Sequence, residues 1–156
     1  MASLFERYVS KSLSRAASAY GIDLHLQKSM YLDRTSHVKC YPDLQISLRQ
    51  EPISSTILDT KYKASFEKDT INTADAYQML AYMVASGSKN AWLIYPNANK
   101  QKNEKIRSIE ISVGEADYWI HQIAVDLESE PEMMGEDLLQ QILFRLKLEN
   151  QVPNAV

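Results

Sequence analysis

Cysteine is almost absent from the sequence, which has only Cys40 in 156 residues. One cysteine cannot form an internal disulfide, a structural zinc site or a four-cysteine iron–sulfur cluster. Disulfide-stapled secreted domains are therefore excluded, and a reducing, cytoplasmic setting is predicted. No apolar run approaches the roughly 20 residues that span a membrane. The first residues, MASLFERYVSK, mix acid and base where a signal peptide would be apolar, so we expect neither a membrane span nor a leader.

Glycine and proline are scarce as well, with four and five residues. No glycine-rich phosphate loop of the Walker type is present, so the sequence does not predict nucleotide hydrolysis. The low content of both residues, together with 45% hydrophobic residues, excludes a disordered chain. The length predicts one domain over residues 1–150, followed by a short tail at 151–156.

The chain also lacks an overall excess of basic residues, because its net charge is −3. The charge is unevenly distributed. Residues 1–68 contain ten Lys and Arg against seven Asp and Glu, whereas residues 69–156 contain seven against thirteen. A basic first half fits contact with a phosphate backbone in that half, and its small excess predicts weak intrinsic affinity. The acidic stretch at 126–137 is expected to face away from a nucleic acid.

The hydrophobic periodicity predicts an α/β fold in which helices flank a mixed sheet. Helices are predicted at 4–20, 73–86 and 136–148. Strands are predicted at 22–28, 43–49, 55–61, 91–95, 106–113 and 118–127. Turns or loops are predicted at 30–41, 50–52, 96–105 and 128–135. Ser3 and Glu6 have the spacing of a capping box at the start of the first helix.

Two acids and a lysine are the residues most suggestive of chemistry. Asp43 opens one alternating strand, and Asp59 and Lys61 close the next, with Thr60 between them. Residues two apart in a strand point to the same side, so Asp59 and Lys61 share a face. A hairpin over 43–61 would bring Asp43 beside them. The two carboxylates and the Thr60 carbonyl would then offer the hard oxygen ligands that Mg²⁺ prefers.

The helix at 73–86 follows this pair of strands and adds polar groups. Asp75, Gln78 and Tyr82 lie on one face, at i, i+3 and i+7. We expect Gln78 and Tyr82 to project an amide and a phenol towards the acids. The core-facing positions of the helix are predicted to be Tyr77, Leu80, Ala81 and Val84.

Taken alone, an Asp-x-Lys pattern is more often a salt bridge on a strand surface, and an aspartate after a proline often caps a turn. What favours chemistry is the order of three elements, which resembles the PD-(D/E)XK nuclease superfamily: Pro42-Asp43, Asp59-x-Lys61 and Gln78-x-x-x-Tyr82. The last element is similar to the RecB-like branch. The segments LFERYV, YPDL, ILDTKYK, AYQMLAYM and LIYP, within 4–96, resemble in that order the nuclease domain of McrC, from the McrBC 5-methylcytosine restriction systems.

This resemblance implies a restriction-endonuclease-like core that hydrolyses DNA phosphodiester bonds with Mg²⁺, for which Mn²⁺ can substitute. It implies that Asp43 and Asp59 are metal ligands and that Lys61 is the catalytic lysine at the attacking water. A lysine beside two acids is not expected to have the low pKa of a strict general base.

The resemblance further implies accessory site roles for Gln78 and Tyr82. Glu6 matches an acid on the first helix of related nucleases, and its capping-box role remains equally open. Proteins similar to McrC carry an N-terminal region that contacts an AAA+ GTPase, whereas this chain begins almost directly with the first nuclease helix. We therefore expect an excised domain or a minimal family member, with a GTPase partner and a homo-oligomer both left open.

Two other functions remain open on sequence grounds. One is a repair or recombination nuclease, such as a junction resolvase or a RecB-like exonuclease. The other is a non-catalytic DNA-binding or assembly module with the same fold, which the complete acid–acid–lysine set disfavours. The sequence does not indicate which DNA is cut.

Overall fold

A computed structural model of the protein describes residues 1–49, 55–62, 71–97 and 106–150. The predicted tail at 151–156, the turn at 50–52 and most of the turn at 96–105 lie outside these residues. The helices are α1 (Ala2–Ser18), α2 (Thr73–Ser86) and α3 (Pro131–Asn150). The strands are β1 (Ile22–Leu26), β2 (Met30–Tyr31), β3 (Lys39–Cys40), β4 (Leu44–Leu48), β5 (Ser55–Thr60), β6 (Asn90–Pro96), β7 (Arg107–Val113) and β8 (Ala116–Val125).

The main sheet has the strand order β1-β4-β5-β6-β8-β7. β1, β4 and β5 are antiparallel neighbours, whereas β6 is parallel to both β5 and β8. β7 closes the other edge antiparallel to β8. The parallel pairing of β5 and β6 requires a crossover, which contains α2. The predicted mixed sheet flanked by helices is confirmed.

Helices pack on both faces of this sheet, as the side-chain alternation of a doubly covered sheet requires. On one face, α1 and α3 pack on Leu58 and Trp92, and on the other α2 packs on Ile57 and Leu93. Neighbouring residues of β5 and β6 thus enter different cores. Within the described part of the chain, no helix is long and apolar enough to cross a membrane.

The predicted capping box on α1 is wrong. The helix begins at Ala2, its N-cap is Met1, and no side chain caps it. Glu6 instead accepts a hydrogen bond from Gln27 Nε2 at 2.7 Å. The Glu6 carboxylate, which local spacing assigned to the helix cap, is therefore bound by a tertiary partner, Gln27, which follows β1.

The predicted core face of α2 is wrong at Tyr77 and Val84, whereas Leu80 does pack, half-buried, against the core. Tyr77 and Val84 are 70% and 48% exposed, whereas Met79 and Met83 are fully buried. α2 is apolar on nearly all sides, so its sequence pattern carries little asymmetry from which to choose a buried face. The face that packs on the sheet is the one that carries Tyr82.

Two of the predicted loops, 30–41 and 128–135, contain regular structure. The segment 30–41 includes β2 and β3, which pair with each other, and part of 128–135 is helical because α3 begins at Pro131. Proline suits the first position of a helix, where its missing N–H is not needed. Gly135 lies inside α3. The position requires glycine, because a Cβ there would come within 2.3 Å of the Ser12 carbonyl oxygen of α1.

Candidate active site

A cleft of about 300 Å³ opens at the end of β5, beside the first turn of α1 and one side of α2. Every residue that the sequence predicts for the site lines it. The lining residues are Ala2, Ser3, Glu6, Tyr41, Asp43, Asp59, Thr60, Lys61, Gln78 and Tyr82. Four separated stretches of the sequence therefore converge on one surface, and the roles of the individual residues remain predictions.

The β4–β5 pairing brings the two acids together. Leu44 is opposite Leu58 in the antiparallel register, so the next pair outward is Asp43 and Asp59. The backbone N–H and the hydroxyl of Thr60 both donate to Asp43 Oδ2 at 2.7 Å. These two bonds fix the Asp43 carboxylate at the mouth of the strand pair. The spatial convergence expected from a hairpin over 43–61 is confirmed.

Asp59 is the most strongly perturbed acid of the cleft. It is only 5% exposed, and burial together with the nearby Asp43 carboxylate raises its pKa from 3.8 to about 6. Lys61 and the Asp43 backbone N–H oppose this shift without cancelling it. The buried Asp59 carboxylate therefore lies next to a second acid, and Lys61 offsets the effect of burial and of that acid only in part.

Lys61 is held by a network of oxygens. Its Nζ lies 2.7 Å from Asp59 Oδ2 and 3.6 Å from Asp75 Oδ1, and it donates to Gln78 Oε1 at 2.6 Å. Burial alone would lower the pKa of Lys61. The hydrogen bond and charge of Asp59, together with the charges of Asp75 and Asp43, outweigh burial, so the pKa of Lys61 is raised. The ammonium is therefore cationic at neutral pH.

α2 supports this ammonium through a short chain of hydrogen bonds. Gln78 Nε2 donates to the Tyr82 hydroxyl at 3.0 Å, and that hydroxyl donates to the Tyr41 carbonyl at 3.3 Å. Burial, with the charge of Asp59, raises the pKa of Tyr82. The amide is thus oriented with its oxygen towards Lys61. Gln78 and Tyr82 do share a face, as their spacing predicts.

Two residues near the site were not predicted to belong to it. Asp75 is 4% exposed and faces Lys61, and Tyr41 supplies both a carbonyl and part of the cleft wall. The i, i+3 spacing of Asp75 and Gln78 could have identified Asp75 as a residue of the site. No spacing rule predicts the Tyr41 hydrogen bond, because it is accepted by a backbone carbonyl.

Glu6 lies at the rim of the cleft, with its carboxylate bound to Gln27. In the described residues, no three His, Cys, Asp or Glu side chains are close enough together to hold a metal ion by themselves. The pair Asp43 and Asp59 therefore provides the acidic centre of the cleft, and Glu6 does not join it in this arrangement.

Residues 1–96, about three fifths of the chain, match the family model described as McrBC 5-methylcytosine restriction system component. The chain belongs to this McrBC family. The matched region contains α1, β1 to β6 and the complete cleft. The short motifs of the matched region converge in space at this cleft.

The fold of this McrBC-family chain is also found in a solved assembly. A chain from a half-complex of a tetradecameric assembly of Thermococcus gammatolerans McrB AAA+ hexamers with bound McrC aligns at a TM-score of 0.68 and 16% identity. The alignment covers 91% of this chain and 33% of that one, so this chain spans about a third of that length. A comparison with curated proteins gives no significant match.

Proposed function

We propose that this McrBC-family chain is a Mg²⁺-dependent DNA endonuclease domain that hydrolyses phosphodiester bonds as part of a modification-dependent restriction system. The observation that carries the proposal is the convergence of Asp43, Asp59 and Lys61 in one cleft, with the ammonium held 2.7 Å from the buried carboxylate. Hydrolysis of a phosphodiester needs charge stabilisation and a positioned water, and this set of groups suits both.

The donor set fits a divalent cation. Asp43, Asp59 and the Thr60 carbonyl would hold Mg²⁺ or Mn²⁺, with water and phosphate oxygens completing the shell. The raised pKa of Asp59 supports this fit, because burial and then the Asp43 carboxylate disfavour its ionised form, and a bound cation would favour that form. When bound, the ion would polarise the scissile phosphate and acidify a water molecule. Two protein carboxylates are a usual number for Mg²⁺ sites.

The chain's own groups have separable roles. Lys61 remains an ammonium, so it stabilises negative charge on the phosphate and orients the attacking water instead of removing a proton from it. Gln78 positions the ammonium by accepting its hydrogen bond, and Tyr82 orients the amide of Gln78. Thr60 fixes Asp43 through two hydrogen bonds. Glu6 is a further acid at the rim, close enough to the cleft to contact a bound strand.

The comparison structure contains McrB AAA+ hexamers with bound McrC, in a tetradecameric assembly. We extend this to the present chain as part of the proposal: a McrB-type GTPase is its partner, and more than one nuclease domain acts in the assembly. The cytoplasm is the compartment that this activity implies. The chain's modest basic charge is consistent with a partner that helps to deliver DNA.

Plasmid nicking tests the proposal. The wild-type chain should nick supercoiled plasmid with Mg²⁺ or Mn²⁺ and lose this activity in EDTA, and Asp59→Asn should reduce the rate by at least about a hundredfold. Asp23→Asn is the matched control. Asp23 is an acid on β1 that does not line the cleft, and its partly exposed side chain pairs with Arg49. An inactive wild type, or an Asp59→Asn variant as active as the control, would contradict the enzyme assignment.

A further inference from the structure

A small hairpin beside the cleft has no role in the chemistry proposed above. It consists of β2 and β3, with Met30 opposite Cys40 and Tyr31 opposite Lys39. Cys40 is buried and Met30 is half-buried in the apolar cluster that contains Met79 of α2. One side of the hairpin is therefore anchored to the domain.

The tip of the hairpin is ordered by a single carboxylate. Asp33 accepts hydrogen bonds from the backbone N–H groups of Thr35, His37 and Val38 and from the Thr35 hydroxyl. These bonds, led by that of the Thr35 hydroxyl, hold the pKa of Asp33 well below its usual range. The Leu32 N–H also donates to the Val38 carbonyl at 2.9 Å. A loop with this internal bonding is preorganised, so little entropy is lost when it binds a partner.

The outer side of the hairpin exposes aromatic and cationic groups together. Tyr31 and Tyr41 are 42% and 52% exposed. Lys39 Nζ lies 5.8 Å from the centre of the Tyr31 ring and 5.1 Å from that of the Tyr41 ring, so the ammonium is within cation–π distance of both rings. Arg34 is exposed at the tip. The negative charge of Asp33 is directed inward to the backbone N–H groups, which leaves the outer side cationic.

This outer side is continuous with the cleft. Tyr41 lines the cleft beside Asp43, and its carbonyl accepts the Tyr82 hydroxyl at 3.3 Å. A strand whose phosphate sits at Asp43 and Asp59 therefore has Tyr41 as its next neighbour on this side, and Lys39 lies beside the Tyr41 ring. Aromatic rings around a cation suit a polynucleotide, since the ammonium binds phosphate while the rings pack on sugars and bases.

We propose that the β2–β3 hairpin is the DNA-docking element of the domain, in which Lys39 binds a backbone phosphate next to the scissile one and Tyr31 and Tyr41 pack against the adjoining nucleotides. The inference rests on the proposed nuclease function, because it takes DNA as the occupant of the cleft. It adds the surface that holds the strand, which the catalytic residues do not provide.

The chain offers a matched control for this surface. Lys89 is also an exposed lysine over a tyrosine ring, with its Nζ 4.3 Å from the centre of the Tyr118 ring. It precedes β6, which runs parallel to β5, so it lies at the end of the sheet opposite the cleft. Lys39→Gln and Lys89→Gln each remove one positive charge from a lysine over a tyrosine ring. The two variants differ in whether that lysine lies near the cleft.

DNA binding by the whole chain is measured by fluorescence anisotropy on a labelled duplex over a range of salt concentrations, with EDTA present to prevent cleavage. Lys39→Gln should raise Kd about three- to tenfold and reduce the slope of log Kd against log salt by about one, as expected for one lost phosphate contact. Lys89→Gln should match the wild type. Tyr31→Ala should weaken binding, whereas Tyr77→Ala, at a more exposed tyrosine on the outside of α2, should not.

Equal Kd values and equal salt slopes for the two lysine variants would overturn the proposal. The same result is expected if the hairpin binds a protein partner instead of DNA. Thermal melting should be unchanged in both, because both lysines are exposed. The outcome is distinct from that of the nicking assay. If Asp59→Asn still cuts DNA, the proposed catalytic centre fails while the binding comparison still decides the role of the hairpin.

Discussion

Replacing Asp59 by asparagine should make the protein more stable while removing its proposed activity. The carboxylate is 5% exposed, and burial and Asp43 raise its pKa from 3.8 to about 6. A carboxyl whose pKa is raised on folding holds its proton more tightly in the folded state, so its ionisation costs stability. The cost is absent below pH 3.8, grows between pH 3.8 and about 6, and is complete at neutral pH.

The magnitude follows from the same two values. The difference between about 6 and 3.8, at about 1.36 kcal/mol per pH unit, corresponds to about 3 kcal/mol. This figure already includes the attraction of Lys61, which opposes the shift. Asparagine keeps an oxygen that can accept from the Lys61 ammonium, although its orientation is less constrained. We therefore expect Asp59→Asn to raise the free energy of unfolding by about 1–3 kcal/mol at neutral pH.

Urea unfolding in EDTA, followed by circular dichroism, measures this difference at neutral pH and near pH 4. The gain should be present at neutral pH and shrink in acid, where Asp59 of the wild type becomes protonated. Asp23→Asn, which removes one partner of an exposed ion pair, should change stability by less than about 0.5 kcal/mol. A less stable Asp59→Asn protein at neutral pH would refute the reasoning, because it would mean that Lys61 over-compensates the buried charge.

Three further outcomes are expected. Gly135→Ala should destabilise the fold by about 1–3 kcal/mol in urea unfolding, because its Cβ would come within 2.3 Å of the Ser12 carbonyl oxygen and overpack the α1–α3 contact. Burial, with Arg145 adding, lowers the pKa of His121 to about 4, so the free energy of unfolding of the wild type relative to His121→Gln should fall by up to about 3 kcal/mol as pH drops from 6.5 to 4. The variant isolates this loss, because protonation of Asp59 acts in the opposite direction over an overlapping pH range. Gln78→Ala should lower the kcat of plasmid nicking about ten- to a hundredfold, because the Lys61 ammonium loses its positioning acceptor.

Exposed positions supply the controls for these variants. Gln141→Ala, on the same helix as Gly135, should leave both stability and nicking unchanged. His25→Gln should have the same pH dependence of stability as the wild type, because His25 is exposed on β1. A Gly135→Ala protein of wild-type stability, a His121→Gln protein with the same pH dependence of stability as the wild type, or a Gln78→Ala enzyme with unchanged kcat would each contradict the corresponding argument.

The arrangement of the cleft was predictable because it depends on short-range rules. The sequence predicts alternating strands at β4 and β5 and a hairpin that joins them. This pairing puts Asp43 opposite Asp59. The spacing of Gln78 and Tyr82 fixes their common face in the same way. The metal, the DNA and the partner are not fixed by these rules and stay predictions.

What the sequence did not predict depends on tertiary contacts. Gly135 is typical of a loop or helix end, and only the close approach of Ser12 explains its place inside α3. Tyr77 and Val84 are apolar but lie outside, since α2 is apolar on several sides and the sheet selects one of them. β2 and β3 are too short to show a period, and the hydrogen bonds of Asp33 order the turn between them.

The central claim is that the carboxylates of Asp43 and Asp59 hold a divalent cation beside Lys61. Its most direct test is a titration of the whole chain with Mn²⁺, followed by electron paramagnetic resonance of the free ion. The account predicts saturable binding that Mg²⁺ displaces and that is lost in the Asp43→Asn/Asp59→Asn double variant. Equal Mn²⁺ binding by the wild type and the double variant would contradict it.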